Sequence, residues 1–326
     1  MRCLALAAEL AARGASSAFI CRPGGEADAA ITHKHRLFKL PEGQVNNDAQ
    51  QTLATLSAQG LEPDWIVVDH YQLSSEWERC LRPRTKRMLV IDDLADRPHV
   101  GDVLLDPTFG ETGERYHGLV PSGCRCLCGS AYALLRPQFR QQRQLPERHL
   151  PPPDRLAVHV FFGSFDTSNY TARFSRLLLK AFDSIRVRAA VGHTYAFPQQ
   201  LRQLASESGG RFTWEAGVQD MAAHMAGCDV AFGAPGGATW ERACIGLPAA
   251  YLTVAANQIA IVERLRDSGL CAYFGAAHSI DDNAFVTAMR RFLLDTSALN
   301  AMRALGMTAV DGRGAQRVAE ILEEAP

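Results

Sequence analysis

One stretch constrains this chain more than any other: Asp229 to Gln258, DVAFGAPGGATWERACIGLPAAYLTVAANQ. It reads as a strand over residues 229–232, a loop carrying Gly233, Pro235, Gly236 and Gly237, and a helix with Thr239 and Glu241 in its first turn. A helix that opens on glycines turns unpaired backbone N–H groups and the positive end of its dipole toward whatever stands in front, and a phosphate fits there. The same helix start carries a carboxylate, which repels a phosphate as a direct neighbour. Glu241 therefore fits one step out, accepting hydrogen bonds from the two hydroxyls of a ribose while a diphosphate lies over the glycines. Each charge-assisted bond of that kind contributes roughly 1.5 to 3 kcal/mol. The implied ligand is a nucleoside diphosphate joined to a further group.

Composition narrows the partners. At 326 residues the chain exceeds what one hydrophobic core usually serves, so two domains are expected. With 47% hydrophobic and 21% charged residues and a net charge of -1, no basic excess exists to neutralise a nucleic-acid backbone or an anionic membrane face. No run approaches the length of an apolar span, and the N-terminus lacks the pattern of a secretory signal, so a cytoplasmic protein with no membrane or nucleic-acid partner is expected.

The nine cysteines are odd in number and scattered, which argues against a disulfide framework. Cys124, Cys126 and Cys128 alternate, so on a strand their thiols share one face. A metal knuckle uses wider spacing and a second pair elsewhere, so these read as structural cysteines and no metal is expected.

Both halves alternate apolar strands with amphipathic helices. Residues 65–68 (WIVV), 88–91 (MLVI) and 103–105 (VLL) are short apolar runs ending in aspartate or a turn, as in a parallel sheet covered on both faces. From Gln141 the sequence QQRQLPERHLPPPDR is polar and proline-rich, a linker stiffened by Pro151, Pro152 and Pro153. The alternation then restarts, with strands at 156–162, 186–191, 229–232 and 249–254 and helices at 171–182, 197–206, 238–245, 257–268 and 282–294. The expected architecture is α/β: two doubly wound Rossmann-like domains with an inter-domain cleft, over residues 1–145 and 155–326, joined by a linker at 146–154. The closing stretch 312–324 has helical spacing through Val318, Ile321 and Leu322 and suits either domain.

Polar residues at strand C-termini then stand out. Asp69, His70 and Tyr71 follow WIVV, and Asp92 and Asp93 follow MLVI. They suit a crevice, and they equally suit caps and loop anchors. His159, in the middle of LAVHVFF, reads as a satisfied core histidine, and His193 follows a strand where it can face a cleft.

Together the motifs MRCLALAAEL, VVDHY, IDDLADRPH, GLVP, YALLRPQF, FFGSFD with Asn169 and Thr171, ATWERACIGLP, AANQ and VDGRGAQRV span essentially the whole chain. As a set the sequence resembles the UDP-2,4-diacetamido-2,4,6-trideoxy-β-L-altropyranose hydrolases of pseudaminic acid biosynthesis, members of the GT-B, MurG-like fold shared with nucleotide-sugar glycosyltransferases. The resemblance implies hydrolysis between the sugar C1 and the diphosphate, with inversion and no cofactor. A nucleoside diphosphate is already a stable leaving anion, so the helix start serves it through charge, while inversion requires a base on the opposite face to activate water. By position, the resemblance implies catalytic roles for Tyr71 beside the sugar and for Asn257. Substrate contacts are implied for Gln258 at the sugar or its phosphates, Glu241 at the ribose, and Met221, in the loop before its strand, against the uracil. Asp69, His70, Gly163, Ser164, Gly236, Gly237 and Thr239 complete the implied substrate-binding set.

Two departures follow. Members of that family carry a strand and a G-x-G-H turn, whose histidine is the water-activating base, directly ahead of a segment like MRCLALA, which here begins at Met1. Either the start lies at an internal methionine, with on the order of 15 residues preceding it, or the chain is a short form in which His70 or Asp69 substitutes as base. Pro235 and Gly237 also stand where relatives commonly show glycine and a small hydroxyl residue. A glycosyltransferase using the same donor site, and a UDP-sugar-binding protein without turnover, are the other readings the residues allow.

Overall fold

A computed structural model describes residues 1–23, 28–42, 47–143 and 150–324 of the chain. It divides into two compact units, Met1–Arg136 with Gly312–Pro326, and Pro137–Asp311.

The first unit runs α1 (Arg2–Ala12), β1 (Ala18–Cys21), α2 (Asp28–Thr32), β2 (Arg36–Lys39), α3 (Asp48–Ala58), β3 (Trp65–Asp69), α4 (Ser75–Leu81), β4 (Arg87–Ile91), β5 (Val103–Asp106) and β6 (Arg125–Cys128). Every ladder is parallel: β3 to β6 pair in chain order, and β1 pairs with β2 in a separate ladder. On one face Leu89, Ile91, Val103 and Leu105 pack with Ala5 and Leu6 of α1 and with Val318 and Leu322 of the closing helix, Gly314–Glu324. On the other, Met88 and Val90 meet Leu56 of α3 and Leu81 of α4. Helices on both sides explain why β4 is apolar at successive residues, with Met88 to Ile91 at most 2% exposed. Ile20 of β1 joins the cluster around Ile66 and Val68, so the two ladders share a core without sharing backbone bonds. Trp65, Ile66 and Val67 on β3 and Phe19, Ile20 and Cys21 on β1 are only half-buried.

The second unit runs α5 (Pro137–Arg143), β7 (Ala157–Phe161), α6 (Tyr170–Ala181), β8 (Arg186–Val191), α7 (Pro198–Glu207), β9 (Phe212–Ala216), α8 (Met221–Ala226), β10 (Val230–Gly233), α9 (Gly237–Cys244), β11 (Ala249–Thr253), α10 (Ile259–Asp267), β12 (Ala272–Ala276), α11 (Asp282–Leu294) and α12 (Thr296–Ala309). Its strands form one parallel sheet in the order β12-β11-β10-β7-β8-β9. An aromatic group of Phe162, Phe174, Phe232 and Phe285 fills the core on one face of this sheet.

The closing helix, α13, belongs to the first unit. Leu322 accepts a hydrogen bond from the Trp65 indole at 3.1 Å, and Arg13 pairs with Glu320 and Glu323 at 3.1 and 2.8 Å. The apolar stripe that sequence periodicity detects is thus buried against α1 and the β3–β5 sheet. The break between units falls after Arg136, where composition placed it at 145 and kept 155–326 together. Of the linker expected at 146–154, residues 146–149 lie outside the described residues; Pro152 is extended (φ -49, ψ 144) and Pro153–Arg155 forms a short 3-10 turn. Among the described residues no helix is long and apolar enough to cross a membrane.

Candidate functional site

In the second unit the chain winds from β7 through β8 and β9 on one side and from β10 through β11 and β12 on the other, so strand order reverses between β7 and β10. The loops leaving the C-terminal ends of that pair stand side by side, the position at which an open parallel sheet accepts ligands. The β10 loop is built on close approach. A Cβ on Gly233 would stand 1.9 Å from the Phe161 carbonyl oxygen, so only glycine lets the strand end lie this near β7. Ala234 N–H then donates to the same oxygen at 3.1 Å.

Gly236 and Gly237 are exposed, and a Cβ on either would meet nothing within 4 Å, so the space ahead of α9 is open. Thr239 is buried and closes the helix start: its Oγ1 accepts from Gly236 N–H at 3.1 Å, and its N–H donates to Gly236 O at 2.9 Å. Because α9 begins at Gly237, Glu241 lies on its second turn, not its first. That places the half-buried carboxylate four residues beyond Gly237, on the same helix face.

Neighbouring loops brace this one. Gln258 Oε1 accepts from the N–H groups of Val254 and Ala255 at 2.8 and 3.3 Å, and its Nε2 donates to Pro235 O at 2.9 Å, stitching the β11 loop to the β10 loop. Asn257, in the 3-10 turn Ala256–Gln258, is exposed. After β7, Gly163 takes a left-handed conformation (φ 96), and Ser164 O accepts from Gly192 N–H at 3.1 Å. Asp166, buried, caps α6 by accepting from Tyr170 and Thr171 N–H at 2.9 and 2.8 Å. Met221 is the first residue of α8 and half-buried, where a loop position was expected; the Asp220 carboxylate starts that helix by accepting from Ala223 N–H at 3.0 Å.

In the first unit, Asp69 ends β3 while Asp92 and Asp93 follow β4. Arg2, opening α1, bridges them, with Nη2 2.6 Å from Asp69 and Nη1 3.1 Å from Asp93; Cys3 Sγ donates to Asp69 at 3.1 Å. Burial alone would raise Asp69, yet the hydrogen bonds and charge of Arg2 carry its carboxyl below the usual range. Burial holds Asp93 above that range despite Arg2, with Asp106 and Asp92 adding to the rise. The two carboxyls that share Arg2 are thus shifted in opposite directions.

Tyr71 is 53% exposed beside this cluster. His70 Nδ1 accepts from Gln72 N–H at 3.1 Å, which leaves the proton of the neutral ring on Nε2, and its carbonyl accepts from Arg97 at 3.1 Å. Deeper, Asp92 is buried and anchors the loop, accepting from Ala95 N–H at 2.8 Å and from the Tyr116 hydroxyl at 3.2 Å.

No protein-family model matches the chain. Over 77 residues, 24% of this chain and 28% of the relative, it is 34% identical to the UDP-2,4-diacetamido-2,4,6-trideoxy-beta-L-altropyranose hydrolase of Campylobacter jejuni, so the match spans little more than a quarter of that relative's length. Over 269 residues, 80% of this chain and 76% of the relative, it is 23% identical to the spore coat polysaccharide biosynthesis protein SpsG of Bacillus subtilis. Among solved structures, MurG of Acinetobacter baumannii matches with a TM-score of 0.66 at 12% identity, covering 99% of this chain and 95% of that one. The chain has a two-domain α/β fold of the GT-B type.

On that GT-B scaffold the residues expected from sequence separate into two groups. Gly163, Ser164, Gly236, Gly237, Thr239, Glu241, Asn257 and Gln258 lie on α9 or on the loops following β7, β10 and β11, while Asp69 ends β3 and His70 and Tyr71 follow it. Met221 stands apart from the first group, after β9. His193 is exposed with its ring packed on Gly217, where a Cβ would come within 2.0 Å of it. His159 is a core residue as expected but not a satisfied one: among the described residues neither its ring nitrogens nor those of His224, 5.2 Å away between ring centroids, have hydrogen-bond partners. Cys124, Cys126 and Cys128 are half-buried on or beside the edge strand β6, and burial pushes the Cys124 and Cys128 thiols up to about 12, far from reactive.

Sequence reasoning passed over three polar groups. Arg2 gave no signal beyond being a cation near the chain start, and only parallel strand ends converging on α1 reveal its partners. Glu78 and His99 form a fully buried pair at 2.5 Å between elements 21 residues apart. Arg242 sits inside the quoted helix beside Glu241, and nothing in the sequence marks it as buried.

Proposed function

We propose that the chain hydrolyses a UDP-linked 2,4-diacetamido-2,4,6-trideoxyhexose at C1, releasing UDP and the free sugar with inversion, as a step of pseudaminic acid biosynthesis. The observation carrying this reading is the start of α9: two exposed glycines at the point where strand order reverses, with a carboxylate four residues on. The diphosphate lies over Gly236 and Gly237, where the positive helix end stabilises the departing UDP anion. Glu241 accepts the ribose hydroxyls, and Met221 lies against the uracil. Thr239 and Gln258 hold the loop in shape through the bonds described above, and Asn257, exposed, reaches the phosphates or the sugar. The partial sequence match with the Campylobacter hydrolase supports the choice of sugar.

Tyr71 is assigned to the sugar. Asp69 positions Arg2 instead of acting as base, since a carboxylate held below its usual range by a guanidinium takes up a proton poorly. His70 has its Nδ1 lone pair engaged by Gln72 and its Nε2 protonated, which leaves no free lone pair on the neutral ring.

The test is UDP release in water. Incubation of the chain with the UDP-linked diacetamido sugar should release UDP without any acceptor, followed by phosphorus NMR. Proton NMR should show the anomer opposite to the bound one first. Release that requires a sugar or lipid acceptor would replace hydrolysis with glycosyl transfer.

A further inference from the structure

Arg242 is 0% exposed, the largest fully buried side chain among the described residues. Its guanidinium donates to Ala234 O and to Phe161 O, each at 3.3 Å, and lies 5.3 Å from the centroid of the Tyr251 ring. Its Nε has no hydrogen-bond partner among the described residues. No carboxylate among the described residues pairs with it, so its hydrogen-bonded neighbours are neutral carbonyls.

A buried cation without a counter-charge destabilises a fold, and such groups persist where something outside the fold balances them. The two carbonyls it holds identify the place. Phe161 ends β7 and Ala234 opens the β10 loop, and these flank the reversal of strand order. Phe161 O also accepts from Ala234 N–H, so the guanidinium and the backbone together pin the Ala234–Gly236 loop to the end of β7. Burial, and then the charge of Arg242, holds His159 far below its ordinary range, and burial with Arg188 takes His224 down to about 4.

We infer that Arg242 is a positioning residue for the diphosphate: it fixes the glycine loop from beneath and provides a buried positive charge that the ligand's phosphates, not a carboxylate of the chain, balance. This rests on the reading of that loop as a diphosphate seat. A purely structural clamp would affect every ligand of the loop alike, whereas a buried charge acts on the charged part of the ligand.

The experiment compares uridine with UDP on the full chain, by calorimetry for UDP and ligand-observed NMR for uridine. In Arg242→Met, close in size and uncharged, the preference for UDP over uridine should fall about tenfold or more, with uridine affinity unchanged. Arg242→Lys, which keeps the charge and loses the fork, should retain most of the preference. Should Arg242→Met not fold, Arg242→Gln, which keeps a donor for the carbonyls, carries the same comparison. An unchanged preference in a folded uncharged variant, or equal loss of both affinities, overturns the inference. If the unaltered chain binds neither UDP nor inorganic pyrophosphate, the diphosphate seat itself is refuted, a separate failure.

Discussion

Arg2 holds two aspartates that respond to it differently. Asp69, carried below the usual carboxylate range, stabilises the fold above its unfolded pKa, and that contribution is lost as pH falls through its native value. Asp93 stands above the usual range, so the native state binds its proton more tightly and is disfavoured as pH rises through that value. Asp69→Asn should therefore lower unfolding free energy by about 1 to 2 kcal/mol at pH 7 and by much less at pH 3. Urea unfolding at both pH values checks this; an equal loss at each would mean that the amide harms packing instead of removing a charge. The strand-end aspartates were legible because a carboxylate after an apolar run has few uses besides capping and binding. Their partner was not, since an arginine 67 residues away becomes a neighbour only through the topology.

Elements buried on both faces were the readable ones. β4, β5, β10 and β11 appear in the sequence as apolar runs, and β7 as one interrupted by His159 alone, because helices cover both sides of their sheets. β2 (RLFK), β9 (FTWEA) and β12 (AYFGA) lie at sheet edges, where partial exposure admits polar or small residues and erases the run. β1 is obscured for the same reason, its Phe19 to Cys21 being half-buried on a ladder that does not join β3. The glycines around β10 make a paired prediction. Gly233→Ala should destabilise by about 3 kcal/mol or more, because the Phe161 carbonyl must move. Gly237→Ala, with open space around its Cβ and a helical backbone, should cost less than about 1 kcal/mol by denaturant unfolding yet weaken UDP binding.

At the scale of the molecule, the alternation of strands and helices announced a two-domain α/β chain, whereas the proline-rich segment lies within the second unit, beyond the division after Arg136. Ownership of the closing helix was hidden, because the periodicity of Val318, Ile321 and Leu322 shows an apolar face without showing what it meets. Ending the chain after Asp311 should unfold the first unit, which loses the α13 side of its core, while the second unit, whose cluster contains no α13 residue, keeps a cooperative transition. Loss of both transitions would contradict that division. The central claim is that the second unit grips uridine diphosphate through α9 and Glu241, and calorimetric titration of UDP into the chain and its Glu241→Ala variant tests it most directly. One UDP should bind per chain, with affinity reduced about tenfold or more in the variant. UDP that fails to bind, or binds both proteins equally well, would contradict the account.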